Sequence, residues 1–231
     1  MRRRPRPRPR PQAKSAILFL YRVVLITALP WLDEIVAASS PRRLPVVLTV
    51  PEVRSVLEQL NGSVGLVCAL LYGTGMRRTE GLRVRIKDVE FSRRELVVRN
   101  GKGGKDRMTV LPENLILPLQ EQIARARALH QRDLSEGFGA VWMPAALNIK
   151  YPASPMHWGW QRVFPSVTRS ADPRTGKFHR HHLNEASVQR AMSLAAKRAA
   201  IVKPCDVSTT MIYTHVMNRG GRGVRSPLDQ I

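Results

Sequence analysis

Thr74-Gly75-Met76-Arg77-Arg78-Thr79-Glu80-Gly81-Leu82 is the stretch on which the reading of this chain turns. Gly75 can close one helix and leave a turn, after which Arg77 opens the next helix with an acid three residues on. A cation at a helix N-terminus opposes the helix dipole and calls for a compensating charge. Two readings satisfy it: a phosphate shared between the guanidinium and the free backbone N–H groups, or an Arg77–Glu80 ion pair at i,i+3 spacing. Downstream comes Arg99-Asn100-Gly101-Lys102-Gly103-Gly104-Lys105-Asp106-Arg107. Its flanks alternate with period two, at Val89, Phe91 and 96–98 before it and 108–111 after it. The glycines therefore form a hairpin turn between antiparallel strands and project Lys102 and Lys105. Spacing and setting are wrong for a Walker loop, so the segment is either a turn that approaches a phosphate closely or a solvated hairpin.

Working outward, Thr49, Pro51 and Glu52 mark a helix start: an N-cap, an early proline and an acid in the first turn. Val53, Val56, Leu57 and Leu60 then share one face. A second helical run over 64–71 ends at Gly73. Beyond the hairpin a long helix is expected over 112–131, an irregular stretch over 137–167 that holds three of the four tryptophans, and a helix over 184–200. The run 207–216 reads as a short helix before a Gly- and Arg-rich tail. Upstream, the alternating Arg-Pro of 1–14 suits an extended, solvated arm, 16–29 one helix that stops before Pro30, and 39–45 a linker. The fold class expected is α+β, mainly helical, with a small antiparallel β-sheet.

The chain has 231 residues, 38 Lys and Arg against 17 Asp and Glu, and a formal charge of +21. Seven of those positive charges lie in 1–14, which contains no acid, and +14 remains on the rest. A hydrophobic content of 43% is enough to build a core and argues against a disordered basic tail throughout. So large an excess implies a polyanionic partner, nucleic acid by default and an acidic membrane surface as the alternative. The Arg-rich start followed by an apolar run also imitates a signal peptide, but Arg22 interrupts it and the run is too short to span a bilayer. Cys68 and Cys205 supply neither a disulfide framework nor metal-ligand spacing, which fits a reducing cytoplasm.

Near the C-terminus stands Asp206-Val207-Ser208-Thr209-Thr210-Met211-Ile212-Tyr213-Thr214-His215. Tyr213 is either a packed ring or, given cationic neighbours, a nucleophile for phosphorus. In this order, TGMRRTEGL, GKGGKDR in a β-hairpin and TTMIYTH resemble the tyrosine recombinases, the phage-integrase-like enzymes, over 16–231. Lys150-Tyr151-Pro152, Trp158, Trp160, Val163-Phe164-Pro165-Ser166, Asp172-Pro173-Arg174 and Arg180-His181-His182 resemble the extra insertion of the integron integrases within that family.

The resemblance implies a site-specific DNA recombinase that cleaves and rejoins strands through a 3′-phosphotyrosyl intermediate, with no metal and no cofactor. Tyr213 would be the nucleophile, Arg77 a phosphate clamp and Lys102 the lysine that assists the leaving 5′ oxygen, with Glu80 a structural partner. Lys105, Arg107, Trp158, Trp160, His181 and His182 would contact DNA, the insertion at 137–182 taking bases extruded from folded single-stranded sites. The partners implied are DNA and, on DNA, further copies of the chain, with no membrane. In these terms 1–14 is an Arg/Pro-rich arm, 15–38 the last helix of a truncated core-binding domain, and 39–231 the catalytic domain. The family's His-x-x-Arg box is missing, and Pro204-Cys205-Asp206 joins its two flanks directly. The expectation is an internally deleted, catalytically inactive recombinase that still binds DNA. The alternative is a basic nucleic-acid-binding protein with no part in recombination.

Overall fold

A computed structural model of the chain describes residues 11–27, 48–101, 103–173, 175–201 and 226–230. Two compact units emerge, 1–44 and 45–231. The first contains α1, Pro11–Phe19, which widens into a π-helical turn at Leu20–Val24. Its start corrects the expectation that the Arg-Pro arm stays extended as far as Lys14. Proline is tolerated at the first helical position because its missing N–H has no intrahelical role there, and Gln12, Ala13 and Lys14 are good helix formers. The helix also closes earlier than Leu29: Ile26 already has φ 51°. Among the described residues no helix is long and apolar enough to cross a membrane.

In the second unit Thr49 precedes α2, Val50–Glu58, and its backbone N–H donates to Glu52 Oε2 at 2.7 Å, the arrangement that the Thr-Pro-Glu spacing foretells. Next come α3, Gly62–Thr74, and α4, Arg78–Leu82. A three-stranded antiparallel sheet follows in the order β1 (Val89–Glu90), β2 (Glu95–Val98), β3 (Arg107–Val110), with Val98 opposite Arg107 across the hairpin. A 3-10 turn leads into the long helix α5, Ile116–Ser135. The last α-helix among the described residues, α7, is Glu185–Arg198, its first turn capped by the Asn184 carboxamide oxygen, which accepts from Ala186 N–H at 2.7 Å.

The irregular stretch expected over 137–167 holds more order than its sequence suggests. It contains α6, Ala145–Lys150, behind Pro144, and 3-10 turns at Ser154–Met156 and Trp158–Trp160. These turns are too short for an apolar period to announce them. After them β4 (Ser170–Ala171) pairs with β5 (Phe178–His179), closed by a turn in which Gly176 N–H donates to the Asp172 carbonyl at 2.8 Å and Gly176 takes φ 67°.

α3 is the axis of the core. Leu66, Val67, Cys68, Leu70, Leu71 and Tyr72 on it are all buried, so it is apolar on every side, as a helix surrounded by others must be. The Cys68 thiol is pushed up to about 12 by burial, which marks it as packing rather than chemistry. Val53 and Val56 of α2, Leu96 and Val98 of β2, Leu119 of α5, Phe164, and Val188 and Met192 of α7 complete the cluster. The tail returns to it: Ser226 Oγ donates to the Gly73 carbonyl at 2.8 Å, Asn114 donates to the Leu228 carbonyl at 3.0 Å, and Leu228 is buried. Gly73 permits this approach, since a Cβ there would stand 2.5 Å from Pro112 Cγ.

Candidate nucleic-acid interface

The first box folds as its residues dictate. Gly75 ends α3 with φ 64°, a conformation that suits glycine, and its N–H bonds the Leu71 carbonyl. Arg77 then stands at the N-cap of α4 and Glu80 three residues inside it. Glu80 Oε1 accepts from Arg77 Nη1 at 2.8 Å, and Oε2 accepts from the Arg77 backbone N–H and from Arg107 Nη2, both at 2.9 Å. The carboxylate side chain is 7% exposed, against 46% for Arg77 and 31% for Arg107. Burial pulls its pKa up, but the bonds from Arg107 and Arg77 outweigh that and hold the carboxyl below its usual range. The i,i+3 ion pair is therefore present, and Glu80 acts as the pin that fastens β3 to the start of α4.

The same pin holds the hairpin turn. A Cβ on Gly101 would lie 3.4 Å from both Glu80 Oε1 and Arg107 Nη1, so the turn backbone runs beside the Arg77–Glu80 pair. Asn100 at φ 51°, with Gly103 and Gly104 at φ 79° and 73°, supplies the positive φ angles that the turn needs. Its root is tied by Asp106, which accepts from Asn100 N–H at 2.8 Å, and by Arg99, which donates to Asp88 at 2.6 Å. Lys105 stands in the turn exposed. Lys102 and Tyr213 lie outside the described residues, as do the 204–206 junction and the run 207–216. Of the three residues that the resemblance makes catalytic, the structure thus places Arg77 alone.

The segment 137–182 is anchored to α5 by Asp133, which is buried. Arg180 donates to both its oxygens at 2.6 Å and also to the Ser166 and Val167 carbonyls. The Arg180 bonds hold the Asp133 carboxyl below its ordinary range against the opposing pull of burial. His181 and His182 follow directly, their rings 4.0 Å apart. His182 is 8% exposed with Nδ1 2.8 Å from the Leu183 carbonyl, so it sits in a packed position rather than presenting an open ring to DNA. The residue lies in an isolated bridge opposite Pro165, which closes the segment over Phe164. His181 is exposed as a residue, yet burial around its ring, then repulsion from His182, Arg162 and Arg83, pushes its pKa down to about 4 and keeps it neutral.

The tryptophans divide unexpectedly. Trp158 leans on α5, 5.8 Å from His130 and 5.7 Å from Arg127. Trp160 faces away from that helix, with Lys87 Nζ 2.9 Å and Arg85 Cζ 4.9 Å from its ring centre. The tryptophan that sequence reasoning passed over is Trp142. It is 45% exposed and lines, with His181, a cavity of about 500 Å³ between the segment 137–182 and the hairpin. Its signal was its place in an unassigned loop, which no local pattern distinguishes. Arg107 is engaged by Glu80 and Arg180 by Asp133, so Lys105 and His181 are the exposed DNA-contact candidates. Among the described residues no group of three His, Cys, Asp or Glu side chains could hold a metal ion.

Comparison with known proteins agrees with this geometry. A profile of the Phage integrase family matches residues 47–206. Proteins of Escherichia coli and Pseudomonas aeruginosa named "Integrase/recombinase" are each 46% identical to the chain, covering 95% of it and 74% of their own length. Tyrosine recombinase XerA of Pyrococcus furiosus is 38% identical over 37% of this chain and 31% of its own. The solved structure of XerA recombinase aligns with TM-score 0.46 and 19% identity, over 90% of this chain and 61% of that one. With most of its length matched by the family profile and its first box and hairpin built into one corner, the chain belongs to the Phage integrase family, the tyrosine recombinases.

Proposed function

We propose that this chain is a site-specific tyrosine recombinase by descent that binds DNA and no longer cuts it. The observation that carries the reading is the missing second arginine box. None of His130, His157, His179, His181, His182 and His215 has an arginine three residues later. Two comparisons support an internal deletion at 204–206. The alignment with the 46% identical relatives runs over 249 residues, longer than the 231-residue chain, so they carry residues without a counterpart here. The family profile stops at residue 206, at the Pro204-Cys205-Asp206 junction.

In the family's reaction the Tyr213 oxygen would bond to phosphorus while the 5′ oxygen departs with a proton from Lys102, and Arg77 would neutralise the phosphoryl oxygens. A pentavalent phosphorane needs several such cations already in place, and each donor lost costs about 3 kcal/mol, roughly a hundredfold in rate. With an arginine and a histidine gone, Arg77 and Lys102 cannot make up the difference. Binding is another matter, because +21 of formal charge and the exposed Lys105 depend on no cleavage chemistry.

Incubated with a nicked suicide duplex, the full chain is expected to give no SDS-stable protein–DNA species. An adduct that disappears in Tyr213→Phe would overturn the reading. Affinity for the same duplex should fall steeply between low and moderate salt. For the insertion, base recognition rests on Trp142 and His181 at the cavity mouth. A hairpin with an extrahelical base should be preferred over the plain duplex, and His181→Ala with Trp142→Ala should erase the preference while leaving general affinity intact.

A further inference from the structure

Arg85 and Arg162 are 8% and 9% exposed, and they face each other across an antiparallel bridge. Ile86 N–H donates to the Gln161 carbonyl and Val163 N–H to the Val84 carbonyl, both at 3.1 Å, which makes the two arginines a directly opposed pair on one face. Like charges in that relation repel, and burial magnifies the repulsion. Among the described residues no carboxylate stands within ion-pairing distance of either one, or of Arg83 beside them. Their bonds go to neutral oxygens: Arg162 Nη1 donates to the Arg83 carbonyl at 2.5 Å and Arg85 Nη1 to the Trp160 carbonyl at 2.8 Å. Burial, then repulsion from Arg85 and Arg83, lowers the Arg162 pKa to about 9, and the weaker attraction of Asp88, which Arg99 already engages, does not offset them.

All three arginines line the cavity of about 500 Å³. Its acids are already engaged: Asp88 and Asp106 by Arg99, Glu80 by Arg77 and Arg107. We propose that this cavity is a phosphate-binding site in which the guanidinium groups of Arg83, Arg85 and Arg162 close on a phosphate group. A guanidinium presents paired N–H donors that match a phosphate edge, and phosphate gives each arginine the anionic partner that no described carboxylate supplies at ion-pairing distance. The apolar face of Trp142 leaves room for whatever the phosphate is attached to. The source is either a phosphodiester of bound DNA or a free phosphate ester. Neither requires that the chain cleave DNA, so the site stands apart from the recombinase reading.

The test uses the full chain with inorganic phosphate as the probe and chloride at matched ionic strength as the reference, read by phosphorus-31 line broadening and by melting temperature. Wild type should broaden the phosphate line and melt several degrees higher in phosphate. Arg162→Met should lose the broadening at least tenfold while melting at or above the wild-type temperature in chloride, because a buried uncompensated charge has been removed. Arg198→Met, at the exposed end of α7, should behave as wild type. If Arg162→Met does not fold, Arg162→Lys decides: loss of the fork should weaken the broadening several-fold. Broadening that is absent in wild type, kept in the Arg162 variant, or lost equally in Arg198→Met overturns the proposal. Repeating the measurement with saturating duplex identifies the source, since suppression assigns the site to a DNA phosphate and persistence to a free ester.

Discussion

Glu80 lies within α4 and the Arg85–Arg162 pair beyond it in the sequence, and the side chains of both are buried, yet they solve the problem of interior charge differently. Glu80 is one anion met by two arginines from separate elements, both with side chains partly in water. The other site is two cations placed against one another and met by carbonyls. Asp133 on α5 follows the first plan, one buried acid gripped by Arg180 with both oxygens taken. A buried charge with its partner supplied by the fold fastens elements together. A buried charge without one stores an unmet demand, and it lies where the molecule also keeps an open cavity.

The contrast can be broken most severely at Asp133. Asp133→Asn leaves Arg180, whose side chain is 12% exposed, without its anion, and should destabilise the folded chain by about 3–5 kcal/mol in urea unfolding. Glu80→Gln should cost less, about 1.5–3 kcal/mol by the same measurement, because Arg77 and Arg107 can turn toward solvent. Equal losses, or the reverse order, would show that exposure of the abandoned cation does not govern the cost.

A gentler effect is expected from pH. His181 binds its proton near 6.5 when unfolded and only near 4 when folded, so the unfolded state takes up more protons between those values. Stability should therefore be fully present above about 6.5 and decline as pH falls toward 4, as far as this group is concerned. Because the residue as a whole is exposed, solvent screening keeps the effect modest. His181→Asn should flatten the melting-temperature profile over that window, and an unchanged slope would assign the decline to other groups. Smallest of all, Arg94→Ala removes a pair with Glu113 whose side chains are 54% and 74% exposed, and should shift stability by no more than about 0.5 kcal/mol.

Much of the first box was open to reading in one dimension. The turn at Gly75, the helix start at Arg77 and the acid at Glu80 are decided within a few residues, as are the Thr49 and Asn184 caps and the glycine hairpin, and the structure contains each of them. The Arg-Pro start misled because proline's helix-breaking effect applies to interiors, whereas Pro11 occupies a first turn. The segment 137–182 was opaque for another reason: its two short strands, single-turn helices and bridges have no period long enough to register.

What the sequence determined by itself is therefore local and periodic: which segments coil, where glycine ends them, how much positive charge the chain carries, and, through the order of its boxes, which family it belongs to. What only the tertiary structure decided is which charges meet. That Arg107 reaches Glu80, that Arg180 reaches Asp133, that Trp160 lies under Lys87 while Trp142 stays open, and that Arg85 faces Arg162 all depend on elements far apart in the chain. Backbone propensities act over one or two turns, whereas ion pairing and burial act through space, so the same residue type can serve as a clasp, a surface charge or half of an opposed buried pair according to what the fold sets against it.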